Sequence, residues 1–498
     1  MKLSKKTVGH PLLSTLKASF ALFMYESPTK TKYKSMTREE IMRHHVLEPL
    51  KSPFSRVYLC PQTEVIINCA MGLKYPIDVE ALKKAFSNSI MLKHPRFCSL
   101  MVKDHNGVEN WVPTHVNIDD HVIVHPNQNN SIDSGLEDSS IEATINAFLA
   151  DISVSTPLSK DKPLWEIHVL MGLMCVVLRV HHAIGDGASL MSMLEDNFGG
   201  EHHENSVGGG GVKVHAKKRS WKEKSVWGVV KSVWFTIVFG LRLLGRFLWV
   251  KDEKCLFSGG DGVELWPREL VTLKFKLEDF NFVKNVIPYV TINDVLLGVI
   301  SSGLSKYMQI KSPKDMLHGV QVTGIVVVNL RKHPGLQRFR GRSRRSKSWG
   351  NKTGLIIQPI YCNDVAHPPI EHVRVMKAIM DQKKQSFEAH LPYIALKLIT
   401  FFFGPKVASW CSHRILCNTS MLISNIIGPS KQLVIGDNPV TYLRVNISSQ
   451  PHAMTIHMVS YGQNMDVQVM VAKDIIHDPI FLAKCFQESL IELKKCNW

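Results

Sequence analysis

The chain has 498 residues, 45% of them hydrophobic and 21% charged. That length supports two or three domains with buried cores, and that balance excludes a disordered or fibrous chain and a polytopic membrane protein. Lys and Arg outnumber Asp and Glu by 60 to 43, a charge of +17 that favours anionic partners: nucleic acid, an acidic membrane surface or a phosphorylated cofactor. No nucleic-acid motif accompanies it, so no nucleic acid is expected as partner.

Residues 1–47 form an N-terminal arm. Its first 25 residues carry lysines and no acid, and the apolar run from Ala18 to Tyr25 is brief for a signal-peptide core. The arm reads as basic and unstructured, with a transit peptide as the alternative. Ordered sequence begins near Glu48-Pro49-Leu50. A strand is predicted at Glu64–Met71, then a helix from Asp78 to Leu92 with Leu82, Phe86 and Ile90 on one face, stopped by Pro95. Glu166–Leu170 and Cys175–Val180 read as a strand pair. His181-His182-Ala183-Ile184-Gly185-Asp186-Gly187 follows, then a helix at Ala188–Asn197.

Residues 199–262 read as a linker. Gly208–Gly211 and Lys217-Lys218-Arg219 make its first part flexible, and an apolar helix is predicted over 225–250. At ~100° per residue, Lys224, Lys231, Arg242 and Arg246 fall within a wedge of about 60°, with Trp227, Trp234, Ile237 and Leu241 outside it. That pattern predicts a helix lying in a membrane interface, its basic stripe towards lipid phosphates, rather than a span. A second globular region, 263–498, contains helices at Asn293–Tyr307 and around Ile370–Phe387 and a buried strand at Val320–Leu330. Strands near Met421–Ile427, Ala453–Val459 and Asp466–Val471 follow, and a closing helix capped by Asp478-Pro479. The coarse architecture is α/β: an N-terminal half, 48–198, and a C-terminal half, 263–498, joined by the linker.

Ten cysteines lie scattered with no CxxC pair, so neither a zinc ribbon nor a redox motif is offered. Cys175, beside Val176 and Val177, reads as a buried reduced thiol, which suits a cytosol-facing protein. Of three His-His pairs, only His181-His182 is followed by Asp-Gly at a workable distance. The strand delivers an imidazole to a loop, Gly185 and Gly187 permit a tight, otherwise strained backbone, and Asp186 can fold back to orient ring or loop. With a reference pKa near 6.5, roughly three-quarters of such an imidazole is neutral at pH 7 and can accept a proton. His182 is the expected general base and Asp186 its partner, with His181 and Gly187 in support. No third ligand of recognisable spacing accompanies the histidines, so no metal is expected.

The heptad resembles the HHxxxDG signature of the coenzyme A-dependent acyltransferase superfamily, which peptide-synthetase condensation domains share. Further blocks are similar to those of the plant wax ester synthase/diacylglycerol acyltransferase family: Pro163-Leu164-Trp165-Glu166, Leu92-Lys93-His94-Pro95-Arg96-Phe97, Thr291-Ile292-Asn293-Asp294-Val295-Leu296, Val328-Asn329-Leu330-Arg331, Trp349-Gly350-Asn351 and Ser424-Asn425-Ile426-Ile427-Gly428-Pro429. They run in the family's order from about Glu48 to the C-terminus. The resemblance implies two chloramphenicol-acetyltransferase-like halves, each a mixed sheet with helices, meeting at a substrate tunnel. It implies transfer of a fatty acyl group from acyl-CoA, a co-substrate rather than a bound cofactor, to a long-chain alcohol or diacylglycerol. It also implies a membrane-associated enzyme of the endoplasmic reticulum, or the plasma membrane, with its site facing the cytosol.

Read alone, Thr291 with Asp294 is a capping box opening an apolar helix. The resemblance adds a site-lining role for Asn293, at the positive end of that helix, where a developing oxyanion would be stabilised. It also raises Trp165, Gly350, Asn351 and Asn425 as tunnel-lining candidates, with Trp165 read chiefly as core packing. Asp186 is expected to be structural, paired with an arginine such as Arg331. The basic run 331–347 reads as a solvated loop, or as a contact for coenzyme A phosphates or lipid headgroups. One departure stands out: relatives often carry a longer segment between the strands ending at Leu170 and starting at Cys175, so the strand that positions His182 is at risk. Two alternatives remain: a soluble BAHD-type acyltransferase, whose DFGWG block is missing here, and a catalytically weak lipid-binding homologue.

Overall fold

The computed structural model of the protein describes residues 48–49, 52–103, 107–126, 138–154, 157–200, 226–316, 319–331, 349–362 and 368–496. The N-terminal arm, the glycine-rich and basic stretch 201–225 with Lys224, and the basic run 332–347 lie outside these residues.

In chain order the first half holds β1 (Glu48–Pro49), α1 (Pro53–Val57), β2 (Ile66–Leu73), α2 (Val79–Ser87), β3 (Ser99–Lys103), β4 (Glu109–Pro113), β5 (Val122–His125), α3 (Asp138–Ile152), β6 (Trp165–Leu170), β7 (Cys175–His181) and α4 (Gly187–Phe198). Next come α5 (Val226–Leu248), β8 (Arg268–Lys276), α6 (Leu277–Val286), α7 (Ile292–Lys311), β9 (Val320–Asn329), β10 (Thr353–Cys362) and α8 (Pro369–Lys384). The chain closes with α9 (Leu391–Cys417), β11 (Met421–Ile427), β12 (Val434–Ile435), β13 (Asn438–Ile447), β14 (Met454–Tyr461), β15 (Asn464–Ala472) and α10 (Pro479–Lys495). Helix α2 stops at Ser87, earlier than its periodicity predicts. Asn88 and Ser89 are poor helix formers, the Ser89 hydroxyl donates back to the Phe86 carbonyl, and Asn197 on α4 takes the Ile90 amide instead.

Two six-stranded mixed sheets carry the fold. One runs β12-β13-β2-β7-β6-β5, the other β10-β9-β11-β14-β15-β8. The first therefore includes β12 and β13, which the chain makes after residue 433, so the first sheet needs both ends of the sequence, whereas the second is built from 268–472 alone. Beneath the second sheet lies a core built from α7, α8 and α10, with Val295, Leu304, Val373 and Phe486 fully buried. The first sheet shields Trp165, Phe97, Leu178 and Val180. Between the sheets a polar ladder runs beside an apolar cluster in which Ala70 and Val177 of the first sheet join Leu270 and Met470 of the second. Arg179 donates to Asn68, Asn68 to Asn446, Asn446 to Gln468, Gln468 to Thr272 and Thr272 to Asn146. Each of these buried polar groups finds a partner across or along the seam, as burial requires.

The short connection at Leu170 forms a complete turn. Met171–Leu173 make one 3-10 turn, Met174 takes a left-handed φ of 46°, and the hairpin stays in register from Leu170↔Cys175 to Trp165↔Val180. The strand that delivers His182 is thus intact.

Helices α5 and α9 are long and apolar enough to cross a membrane by length and composition, and both are mostly exposed. They pack together through Phe247 edge-on to Trp410, and Arg414 donates to the carbonyls of Phe247 and Leu248. On α5 only Ser232, Phe239 and Arg246, seven residues apart, are buried. Its apolar face, with Trp227 78% and Leu241 62% exposed, points away from the body. This corrects the expected basic stripe. Arg246 does not reach for lipid; it pairs with Asp252 at 2.6 Å and donates to the Asn418 carbonyl and Thr323, anchoring the helix to the second half. Helix α9 breaks at Gly404, whose φ of 83° precedes Pro405, and the exposed Phe401, Phe402 and Phe403 stand just before the break.

Candidate active site

Strand β7 ends at His181, and the chain turns through His182–Ile184 into α4. His182 is half-buried, its amide donating to the Val65 carbonyl and its ring 4.4 Å from that of Tyr58. Its Nδ1 lies 3.0 Å from Asn351 Oδ1. Asn351 Nδ2 donates to the His182 carbonyl at 2.7 Å and to Ser55 Oγ at 2.9 Å. With both amide protons engaged, the Asn351 oxygen must face the ring, and Nδ1 carries the proton. The remaining lone pair belongs to Nε2. Burial pulls the His182 pKa below its usual value against Asp186 and Asn351, which act to raise it, so the imidazole is neutral near pH 7.

His181 points the other way. It is buried, its Nδ1 accepts from the Ala183 amide, and its Nε2 lies 3.5 Å from Glu64. Burial would raise the Glu64 pKa, but His181 brings it below the usual carboxylate range. Asp186 is the N-cap of α4 and is buried. Its carboxylate accepts from the amides of Ser189 and Lys352 and, bidentately, from Arg331. Arg331 also donates to the Gly350 carbonyl at 2.6 Å and to Ser189 Oγ. The pairing with Arg331 is therefore present, and it fixes the loop rather than the ring.

The glycines serve close approach rather than strain, which corrects the expectation. Neither Gly185 nor Gly187 has a positive φ. A Cβ at Gly187 would lie 2.7 Å from Ile426 Cδ1, and one at Gly185 would meet the Trp349 ring at 3.2 Å. Gly350, by contrast, has a φ of 103° and turns the Trp349–Asn351 segment so that three neighbours brace the histidine loop. Trp349 Nε1 donates to the Ile184 carbonyl, as does Arg96, and Asn351 holds His182.

Trp165 is fully buried, stacked on His121 at 3.8 Å with Nε1 donating to the Phe97 carbonyl. It sits in the core of the first half. Asp294 forms the capping box with Thr291 and is likewise buried. Asn293 is exposed at the start of α7, where its Oδ1 accepts from Asn425 Nδ2 at 2.6 Å. These two candidates thus form a pair of their own. Residues that sequence reasoning passed over are Tyr58, against the catalytic candidate's ring, and Ser55, behind Asn351. Both sit on or beside α1, which follows by a few residues the Glu48-Pro49-Leu50 segment at which ordered sequence was expected to begin. Burial, and then Asp186, raise the Tyr58 pKa, so it stays a phenol.

Away from this site, Asp261, His413 and Cys417 bring one potential ligand atom each within 4.8 Å, the one such group among the described residues. His413 there also meets Glu264 at 3.4 Å.

A family model for the wax ester synthase/diacylglycerol acyltransferase catalytic domain matches residues 143–227, and one for the WS/DGAT C-terminal domain matches 349–494. The chain is 30% identical over 497 residues to wax ester synthase/diacylglycerol acyltransferase 10 of Arabidopsis thaliana, covering 92% of this chain and 98% of that protein. It is 29% identical over 490 residues to number 6 of the same plant, covering 90% and 93%. Among solved structures, the wax ester synthase/diacylglycerol acyltransferase from Marinobacter aquaeolei VT8 matches with a TM-score of 0.54 at 16% identity, over 90% of this chain and 98% of that one. The first condensation domain of the calcium-dependent antibiotic synthetase matches with a TM-score of 0.52 at 14% identity, over 91% and 97%. These two likenesses speak to fold alone, and both are to the architecture expected from the His motif. The likeness to the plant relatives is of another kind, extending along nearly the whole of both sequences, and by it the chain belongs to the wax ester synthase/diacylglycerol acyltransferase family.

Proposed function

We propose that this protein transfers a fatty acyl group from acyl-CoA to the hydroxyl of a long-chain alcohol or diacylglycerol, with His182 as general base. One observation carries the assignment: Asn351, with both its protons spent elsewhere, holds His182 in the Nδ1–H tautomer and leaves Nε2 to accept a proton. Nε2 takes the proton of the acceptor hydroxyl as its oxygen attacks the thioester carbon. The tetrahedral intermediate collapses with cleavage of the carbon–sulfur bond, and His182 returns the proton to the departing coenzyme A thiolate. Acyl-CoA is thus a co-substrate, and no permanently bound cofactor enters the reaction. Asp186 and Arg331 act on the loop and not on the substrate. Asn293 and Asn425 are assigned to the tunnel wall, and the spans 48–198 and 263–498 work as one catalytic unit.

The exposed apolar faces of α5 and α9 support a seat on a membrane surface. Helix α1 connects that surface to the site. Phe54 and Val57 pack on Leu396 and Ala408 of α9, while Ser55 and the adjoining Tyr58 touch Asn351 and His182. An apolar substrate leaving the bilayer would meet the site through this joint. Ten free cysteines suit the cytosolic side, and the endoplasmic reticulum is the membrane we assign. The test is expression in a host unable to make neutral lipid, fed long-chain alcohol, with esters and triacylglycerol identified by mass spectrometry. Wax ester or triacylglycerol should form with the wild type and fall by at least about two orders of magnitude with His182→Ala, and by less with His181→Ala. Undiminished product from a folded His182→Ala would overturn the assignment.

A further inference from the structure

Away from the histidine loop, two segments of the chain converge. His413 and Cys417 stand four residues apart on α9 and so share one of its faces. Asp261 and Glu264 belong to the loop between α5 and β8, Glu264 within a single 3-10 turn over Val263–Leu265. That loop is pinned independently of the helix. Phe257 and Val263 are buried, and Arg268 donates to the carbonyls of Val263, Gln450 and His452. Gly260 and Gly262, with φ of 151° and 86°, turn the backbone on either side of Asp261.

The distances among the four side chains are those of a ligand set. His413 Nε2 lies 3.4 Å from Glu264 Oε1 and 3.8 Å from Asp261 Oδ1, and Cys417 Sγ lies 3.6 Å from Nδ1 and 3.8 Å from Nε2 of the same ring. Tetrahedral zinc, with bonds of about 2.0–2.3 Å, sets neighbouring ligand atoms about 3.3–3.6 Å apart. Small side-chain rotations therefore close the group, whose atoms from Asp261, His413 and Cys417 all lie within 4.8 Å of one another. Glu264 adds a sign of its own: its Oε2 is buried without a hydrogen-bond partner. Ion pairing of His413 with the carboxylates accounts for the oxygens but not for the thiol, which hydrogen-bonds weakly. A metal accounts for all four.

We propose that Asp261, His413 and Cys417 bind a structural zinc ion, with Glu264 beside them for the fourth position. Imidazole and thiolate suit zinc, whereas magnesium and calcium take oxygen ligands. Coordination removes the thiol proton of Cys417 and holds His413 neutral through Nε2, so affinity falls as pH falls. The ion joins the loop that follows α5 to α9, tying together the two helices whose apolar faces are exposed, and it takes no part in acyl transfer. No local motif reveals the site, because Glu264 and His413 lie 149 positions apart.

The experiment is elemental analysis of the full chain, purified in detergent without chelator and dialysed against zinc and then against buffer. About one zinc per chain is expected in the wild type, with the metal lost in Cys417→Ser and in His413→Ala. Cys411→Ser should keep it, since that thiol lies on the same helix outside the group. Competition with a chromogenic chelator should show zinc held at least about a hundredfold more weakly by Cys417→Ser. Cobalt in place of zinc should give the ultraviolet thiolate-to-metal band in the wild type and not in Cys417→Ser. EDTA should lower the Tm of the wild type and leave that of Cys417→Ser unchanged. Zinc well below one per chain, or equal zinc in wild type and Cys417→Ser, would overturn the proposal, as would a cobalt form without the thiolate band. If His413→Ala does not fold, Cys417→Ser decides, because serine replaces the thiol with little change in volume.

Discussion

Arg331, at the end of β9, grips Asp186, at the cap of α4, through two N–H···O contacts of 2.9 Å each, although 145 positions separate them. The loop that carries His182 belongs to the first sheet, and the arginine leaves the second. The ion pair is therefore a rivet between halves, placed just beyond the histidine loop that it supports.

Removing both members should cost less than the two single removals added together, because each single variant leaves a buried charge without its counter-ion. Arg331→Leu or Asp186→Ala should each cost about 3–5 kcal/mol by denaturant unfolding, and the double variant less than their sum. Asp186→Asn should keep more activity than Asp186→Ala at equal folded concentration, since one acceptor oxygen remains for the amide of either Ser189 or Lys352, which donate to different carboxylate oxygens. Equal and complete loss in the two would show that the charge itself is obligatory.

Asn351 sets the tautomer of His182, so its substitution should act on turnover more than on binding. Asn351→Ala is expected to lower kcat by about two to three orders of magnitude with KM for acyl-CoA little changed. Asn351→Asp places a carboxylate beside Nδ1, which favours the protonated ring and raises its pKa. The acid limb of kcat/KM should lie below pH 6.5 in the wild type, because burial lowers the His182 pKa, and should move upward in Asn351→Asp. An unmoved limb would break the link between this amide and the base.

Stability should fall on mild acidification. Burial lowers His94 and His452 to about 3 and His457 to about 4, whereas each titrates near 6.5 when unfolded. Below pH 6.5 the unfolded chain takes up protons that the folded chain refuses, so stability drops as pH falls towards 4, by up to ~1.4 kcal/mol per unit per histidine. In the zinc-free protein His413 has the opposite sign. Burial lowers its pKa, but Cys417 and Glu264 raise it to about 10, so its contribution is present below pH 6.5 and lost as pH rises through 10. Urea midpoints measured between pH 4 and 7 should climb with pH; a flat profile would contradict the burial of these rings in neutral form.

Membrane attachment should depend on two helices and not one. Replacing Trp234, Ile237 and Leu241 with Asp on the outward face of α5 should shift the protein to the soluble fraction, and Phe401, Phe402 and Phe403 to Ser on α9 should do so in part. Alkaline carbonate should extract at least some of the wild type. Complete resistance to carbonate, with the flanks of α5 on opposite sides by protease protection, would establish a span instead.

Short-range patterns in the sequence determined a good deal. Alternation placed β11 at Met421–Ile427 and brought β6, β7 and β15 to within two residues, and cap chemistry located Asp294 and Asp478 at the starts of α7 and α10. The histidine loop was legible because strand, glycines and helix lie within one heptad. Strand β13 was not legible, because nothing local says that, beyond its short pairing with β12, it will join β2, some 370 positions earlier, and not β14. The same holds for Asn351: a tunnel-lining candidate in sequence, it becomes the partner of His182 only when β10 brings it there. The basic stripe on α5 went wrong at Arg246 for a related reason. A helical wheel orders side chains around an axis but cannot say which side meets the protein, and a buried Asp252 decided that. His413 carries the point furthest. In sequence it is one histidine of 23, and its meeting with Glu264, 149 positions earlier, exists only after the chain has folded.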